Sequence, residues 1–204
     1  MIAIDSPSLT TRIVTDRLVL RPPRASDVPE LRHLLRVNAE HLRPWEPAPA
    51  PGEDPTSLTA VANRVACQRR DWKRDDSYSL LLTLRERGEP IVGRITLGGV
   101  RRGAFQNAHV GYWIDREHQR RGLTSEGVAG AFAFAFGMAK LHRLQIAIMP
   151  RNLASLRVME KLGARKEGLA EGYLRIAGRW EDHVVFAVTR EDWERSQKTE
   201  ARSG

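Results

Sequence analysis

Six consecutive residues, Gln119-Arg120-Arg121-Gly122-Leu123-Thr124, have the make-up of an anion cradle. They follow an apolar, strand-like run from His109 to Ile114. They precede a long run from Ser125 to Lys140 that reads as a helix. A strand, a short basic turn and a helix start gather free backbone N–H groups at one point. The helix dipole adds partial positive charge there, which is the arrangement that holds a phosphate. Gly122 can adopt positive φ and let the backbone close on a phosphate. Arg120 and Arg121 add charge, and Thr124 or Ser125 is placed to cap the helix and touch a phosphate oxygen. Neither Gly-x-Gly-x-x-Gly nor Gly-x-x-x-x-Gly-Lys-Ser/Thr occurs, which argues against a dinucleotide fold and a P-loop NTPase.

Asn152-Leu-Ala-Ser155-Leu-Arg157-Val-Met-Glu-Lys161-Leu-Gly-Ala164 forms a second constellation, beginning about 28 residues after Thr124. Asn152 stands at a strand-to-helix junction, with Ser155 one turn along on the same face. Arg157 and Lys161 are four apart and share a face that can meet phosphates. Leu156, Met159 and Leu162 read as core. Trp45 and Glu46 lie in the Pro-rich segment Pro44-Trp-Glu-Pro-Ala-Pro-Ala-Pro-Gly52, where a Trp and a carboxylate suit acceptor binding as well as cover for a sheet edge. A carboxylate there can hold a cationic amine. Asp182 and His183 open the last strand and either orient an acceptor or bridge loops. Cys67 is an ordinary helix position, and His109, His118 and His142 lack metal-ligand spacing, so no metal is expected.

These groups need a frame. Thr11 to Arg21 reads as a first strand. Ser26 caps a helix to about Asn38, with Pro29 in its first turn. Thr56 caps a second helix carrying Leu58, Val61, Ala62, Val65 and Trp72 at mostly helical spacing. Strands at 79–85 and 91–100 flank the turn Arg87-Gly-Glu-Pro90, and 108–115 is the next strand. After the Ser125–Lys140 helix come a strand at 144–149, a short helix from Asn152 to Gly163, and a hairpin of 166–176 with 183–189. From Glu191 the chain is polar and reads as a fraying tail. The expected layout is an N-terminal extension at 1–10, one domain at 11–193 and a tail at 194–204. The class is α/β (α+β) with a mixed sheet.

The 204 residues suffice for one domain with a proper core. Hydrophobic content of 41% and charged content of 28% are those of a soluble globular protein. With no apolar run of membrane-span length, no leader-like start and a lone cysteine, the cytoplasm is the expected compartment. The net charge of +8 suits an anionic cofactor or polyanionic surroundings, yet no RNA-binding motif or aromatic-interleaved basic patch appears.

The first constellation resembles the Gln/Arg-x-x-Gly-x-Gly/Ala pyrophosphate loop of the GCN5-related N-acetyltransferases (GNAT), with Thr124 where the family has Gly or Ala. The second resembles that family's Asn-x-x-Ser-x-x-x-x-x-Lys-Leu-Gly-Phe motif, with Ala164 in place of Phe. Further segments, His41-Leu-Arg-Pro-Trp-Glu-Pro47, Val100-Arg-Arg-Gly-Ala-Phe105, His142-Arg143 and Gly178-Arg-Trp-Glu-Asp-His183, are similar to the branch that acetylates N-termini of ribosomal proteins. The likeness runs from about Thr11 to Trp193. It implies a GNAT fold, a mostly antiparallel mixed sheet of about seven strands flanked by helices and splayed around the fourth and fifth. It implies acetyl-CoA as acetyl donor, held by Gln119 to Ser125, by Asn152, Ser155 and Arg157, and by the backbone of Tyr112, Trp113 and Ile114, which would also polarise the carbonyl. It implies Tyr173 as the acid that protonates the thiolate, with Ser155 as the alternative. Glu46 is the candidate base. Trp45, Glu46, Asp182 and His183 would meet the acceptor.

Three functions follow for comparison. The leading one is acetylation of a protein N-terminus, Ala or Ser, on a ribosomal protein. The second is acetylation of a small amine such as an aminoglycoside or polyamine, for which the carboxylates Glu46, Glu53 and Asp54 are few. The third is a CoA-binding assembly factor that meets RNA through Arg69, Arg70, Lys73 and Arg74. Monomer and homodimer are both open.

Overall fold

The computed structural model describes residues 7–203; residues 1–6 of the expected extension lie outside the described residues. Eight strands form one sheet in the order β1-β2-β3-β4-β5-β6-β8-β7. They are β1 Ile13–Val14, β2 Leu18–Arg21, β3 Tyr78–Leu84, β4 Ile91–Arg101, β5 Asn107–Ile114, β6 Arg143–Ile148, β7 Arg165–Ile176 and β8 Arg179–Thr189. The helices are α1 Val28–Val37, α2 Ala39–Leu42, α3 Leu58–Lys73, α4 Leu123–Ala133, α5 Leu153–Lys161 and α6 Arg190–Ser203.

The expected single first strand is two strands. Thr15 Oγ1 accepts from the Leu18 amide, and the Thr15 amide donates to the Leu18 carbonyl, which turns the chain at 15–17. The sheet therefore has eight strands where about seven were expected. Ser26 caps nothing; it lies in a 3-10 turn, Ala25–Asp27, that leads into α1. Ser57, not Thr56, caps α3 by accepting from the Ala60 amide, because Asp54 engages both the amide and the hydroxyl of Thr56. The polar stretch from Glu191 is helix α6 rather than a frayed tail. Trp193 anchors it, meeting Phe132 edge-on at 5.9 Å and Phe136 at 6.5 Å.

The core lies on both faces of the sheet. Gly127 and Gly130 let α4 sit directly on Leu82, Ile95 and Leu20; an added Cβ at Gly127 would meet a Leu82 methyl at 2.9 Å. Trp72, Tyr78 and Phe134 close one end of this cluster with ring centroids 4.9–5.4 Å apart. After Ala133 the helix widens into a π turn, Phe134–Met138, where the Ala139 amide reaches back to the Phe134 carbonyl. On the opposite face a smaller cluster joins Leu31, Leu34 and Leu35 of α1 with Val61 and Val65 of α3 and with Leu81 and Trp113 of the sheet.

All pairings are antiparallel except β5 with β6, which are parallel and paired only from Asn107 to His109. Beyond His109 the two strands diverge, as the expected splay requires. Asp115 donates its amide to Val92 on β4 at 2.8 Å. Strand alternation then turns the N–H groups of Tyr112 and Ile114 the other way, into the gap.

Candidate active site

The gap leads to the loop before α4. Gly122 has φ of 76° and Arg120 has φ of 58°, so two of four consecutive residues are left-handed. The first backbone bond of α4 runs from the Glu126 amide to the Gly122 carbonyl. The amides of Arg121 through Ser125 have no acceptor among the described residues and point at the helix start. Thr124 and Ser125 are inside the helix; Gly122 is its cap position and no side chain caps it, which corrects the expected Thr124 or Ser125 cap. A cradle of free amides at a helix N-terminus suits a diphosphate.

The loop is fixed from two sides. Glu126 in the first turn of α4 accepts from Thr15 Oγ1 at 2.6 Å, from the Arg17 amide at 2.7 Å and from Arg17 Nε at 2.7 Å. The same Arg17 donates to the Arg121 carbonyl at 2.8 Å and lies 3.4 Å from where a Gly122 Cβ would be. On the other side, Asn38 at the end of α1 donates to Asp115 at 2.8 Å and accepts from the Arg116 amide at 2.9 Å. His118 Nδ1 donates to Asp115 at 2.7 Å. Burial raises the Asp115 carboxyl, but the bonds from Asn38 and His118 outweigh it and hold it below the usual carboxylate range. Gln119 donates its amide to His41 Nε2 at 2.8 Å, so Gln119 tethers the loop and the predicted role of a direct ligand competes with that bond. Arg17, Arg85, Arg121 and His118 line a groove of about 350 Å³ beside the loop.

Asn152 caps α5, its Oδ1 accepting from the Ser155 amide at 3.2 Å, and Gly163 ends the turn after α5 with φ of 65°. Met159 is fully buried, and Leu156 and Leu162 pack beside it. Arg157 and Lys161 are exposed on the outer side. The Tyr112 hydroxyl donates to the Ser155 carbonyl at 3.2 Å, joining β5 to α5 across the gap; burial pushes this phenol up to about 12. The Tyr112–Ser155 bond thus brings the start of α5 to the strand that parts from β6, whose far end leads through Asp115 to the loop before α4.

The residues expected to meet the acceptor lie in the loop after α2 and on the β7–β8 hairpin. Alternation puts His109, Gly111 and Trp113 of β5 on one face, and pairing puts Gln145 beside His109. Gln145 donates to the Tyr173 hydroxyl at 3.2 Å, and the Tyr173 ring meets the His183 ring at 5.6 Å. The phenol oxygen accepts that bond. Trp45 is covered by Arg151, whose guanidinium stands 5.0 Å over the ring, donates to the Pro44 carbonyl and pairs with Glu181 at 2.9 Å. Glu46 is exposed, and its carbonyl accepts from the Ala177 amide at 3.0 Å. Asp182 and His183 lie inside β8, which begins at Arg179, and do not open it. Asp182 accepts from the Gly172 amide at a bulge of β7, and His183 is buried with Nδ1 on the Glu181 carbonyl, so both support the hairpin.

Two residues of the sheet were given no site role by the sequence reading. His109 is the last paired residue before the strands part; its side chain is exposed, and partial desolvation by its neighbours lowers its pKa from the usual histidine range. Arg94 on β4 stands opposite Trp113 on β5. Of the basic residues considered for RNA, Arg69 donates to the Pro23 carbonyl and Arg70 lies 3.7 Å from Asp71, while Arg70, Lys73 and Arg74 are exposed at the end of α3. Among the described residues no group of three or more His, Cys, Asp or Glu is arranged to hold a metal, and no helix is long and apolar enough to cross a membrane.

Known proteins carry the same plan. Residues 17–165 match the family model of the acetyltransferase (GNAT) domain. The chain is 32% identical over 176 residues to a probable N-acetyltransferase, YjcK, of Bacillus subtilis, covering 86% of this chain and 95% of that one. It is 32% identical over 182 residues to the ribosomal protein uS5 alanine N-acetyltransferase of Escherichia coli, covering 89% and 92%. Among solved structures, Mycobacterium smegmatis RimJ in complex with CoA-disulfide superposes with a TM-score of 0.80 at 30% identity, covering 86% of this chain and 83% of that one. The ribosomal-protein-S5-alanine acetyltransferase of Vibrio fischeri superposes with a TM-score of 0.82 at 28% identity, covering 90% and 98%. With its splayed sheet, its amide cradle and this breadth of likeness, the chain belongs to the GNAT family of N-acetyltransferases.

Proposed function

We propose that this enzyme transfers the acetyl group of acetyl-CoA directly to the α-amino group of a protein N-terminus, an Ala or Ser, with a ribosomal protein as the acceptor. The observation that carries acetyl transfer is the parting of β5 from β6 after His109, which frees the Tyr112 and Ile114 amides beside the cradle of Gly122 to Ser125. The ribosomal-protein acceptor is supported by likeness over nearly the whole chain to uS5-alanine N-acetyltransferases.

Acetyl-CoA supplies the thioester whose acyl carbon the amine attacks. The amides of Arg121 to Ser125, with Arg120 and Arg121, hold the diphosphate; Asn152 and Ser155 border the pantetheine arm. The Tyr112 and Ile114 amides donate to the carbonyl oxygen as it gains charge. Trp45 and Glu46 meet the acceptor. An α-amine with a pKa of about 7.7–8.0 has a substantial neutral fraction at about pH 7.5, so only a weak base is needed. Glu46 is the proposed proton acceptor, and His109 is a second group able to take it. Tyr173, oriented by Gln145, gives its proton to the departing thiolate; Ser155 is the alternative donor.

The test is thiol release from acetyl-CoA with short peptides, each with a free and a blocked N-terminus, beside small amines. Turnover confined to free Ala- or Ser-starting peptides supports the proposal. Turnover confined to small amines overturns the N-terminal assignment and leaves the acetyltransferase assignment standing.

A further inference from the structure

Arg94 is an arginine without a counter-ion in the middle of the sheet. Its cross-strand neighbours, Leu81 on β3 and Trp113 on β5, both belong to the apolar cluster under α1 and α3. The side chain is half-buried on that same face. Among the described residues no carboxylate comes within ion-pair distance and no acceptor takes a hydrogen bond from it. The charges in reach are Arg64 of α3 and Glu46 of the acceptor loop. Burial first, then the repulsion of Arg64, pushes Arg94 down to about 10 against the attraction of Glu46. Arg64 is half-buried and turned toward the loop, where it donates to the Pro55 carbonyl at 3.2 Å. The indole Nε1–H of Trp113 is buried with no acceptor.

On this face, among the described residues, the Trp113 indole is therefore a buried donor without an acceptor, Arg94 has no carboxylate partner, and Arg64, held only by the Pro55 carbonyl, repels it. A buried donor left unmet is costly, and a half-buried guanidinium beside a second cation gains from an anion partner. Neither α1 nor α3 supplies an anion to them. A single planar carboxylate would satisfy the fork of Arg94 and offset Arg64. Glu46 marks the adjacent position for an ammonium group.

Building on the reading of this enzyme as an N-terminal acetyltransferase, we propose that Arg94, backed by Arg64, is an anion subsite that selects acceptors bearing a carboxylate close to the reacting amine. In a protein acceptor this is an Asp or Glu side chain within the first three residues. In a small acceptor it is the carboxylate of an amino acid or dipeptide. The same subsite repels polycationic amines.

The experiment compares kcat/KM for thiol release with the full-length enzyme and matched peptides beginning Ala-Glu, Ala-Asp, Ala-Gln and Ala-Lys, with free glutamate and an Ala-Glu dipeptide as the small-molecule arm. The wild type is expected to favour Ala-Glu or Ala-Asp over Ala-Gln by about tenfold, the scale of one charge-assisted hydrogen bond. Arg94→Gln brings that ratio to about one, and Arg94→Lys restores part of it. Acetyl-CoA binding by calorimetry reports whether each variant is folded. If Arg94→Gln does not fold, Arg64→Gln gives the second readout, a ratio reduced by several-fold. Turnover of the dipeptide and not of longer peptides assigns the carboxylate to a small acceptor. Peptide turnover with no acidic preference overturns the subsite and leaves the N-terminal assignment intact; turnover of no peptide or amino acid overturns both.

Discussion

Gly122 offers a quantitative test of the cradle. Its φ of 76° costs an L-residue with a Cβ about 1–2 kcal/mol, which corresponds to about 5- to 30-fold in an equilibrium constant. Space is not the obstacle to alanine, since the nearest atom to an added Cβ is the end of Arg17 at 3.4 Å. Gly122→Ala therefore isolates backbone conformation. Its cost divides between two readouts. What the tethers at Arg17 and Gln119 impose on the free enzyme appears as a lower Tm, and what the loop escapes by relaxing appears as a weaker Kd for acetyl-CoA. Their sum should be about 1–2 kcal/mol. Gly122→Asn, which tolerates the left-handed region, should recover much of it. Gly122→Glu adds a negative charge beside the diphosphate, worth about another 1 kcal/mol at a solvated site. Its Kd and its KM for acetyl-CoA should exceed those of Gly122→Ala by about fivefold. Calorimetric titration with acetyl-CoA and thermal denaturation measure both parts. Ala and Asn variants that both match the wild type, or a Glu variant no worse than the Ala variant, would refute the cradle.

Other outcomes follow from neighbouring contacts. Burial raises the Glu126 carboxyl, but the bonds from Thr15 and Arg17 lower it more, and its net pKa lies below 4.5; its stabilisation is present above that value and lost as pH falls through the lowered one. Glu126→Gln should cost about 1–3 kcal/mol at neutral pH and flatten the acid side of a Tm-versus-pH curve, and an unchanged curve would sink this role. Tyr173→Phe should lower kcat at least tenfold, on the scale of lost general-acid catalysis, while the Kd for acetyl-CoA holds; full turnover would exclude it as the acid. Glu46→Gln should lower kcat/KM for peptide by a hundredfold or about that. If an acid limb near or below pH 6.5 persists in that variant and vanishes in His109→Gln, the proton goes to His109 instead.

The parts of the site that depend on local chemistry were legible from the chain alone. Asn152 and Gly163 bound α5 because a cap amide and a left-handed glycine act within a few residues. The basic turn at Gly122 was legible for the same reason. Distant partners were not. The turn at 15–17 exists because Glu126, more than 100 residues on, binds Thr15 and Arg17. Thr56 looks as good a cap as Ser57 until Asp54 takes both of its polar groups. The polar stretch after Glu191 becomes helix because one residue, Trp193, finds Phe132 and Phe136. Arg94 carries no signal in the sequence, and only the strand pairing places it beside Trp113.

Arg151 touches both rims of the cleft: it covers Trp45, donates to Pro44 and pairs with Glu181, while the Ala177 amide binds the Glu46 carbonyl from the tip of the β7–β8 hairpin. Segments 43–46 and 177–181 therefore behave as one cassette with Arg151 as its rivet. Drift of either rim without the other would break at least two of these contacts at once, so changes in acceptor choice should arise through paired substitutions. An engineer grafting a new specificity onto this scaffold would have to transplant both rims and the rivet together.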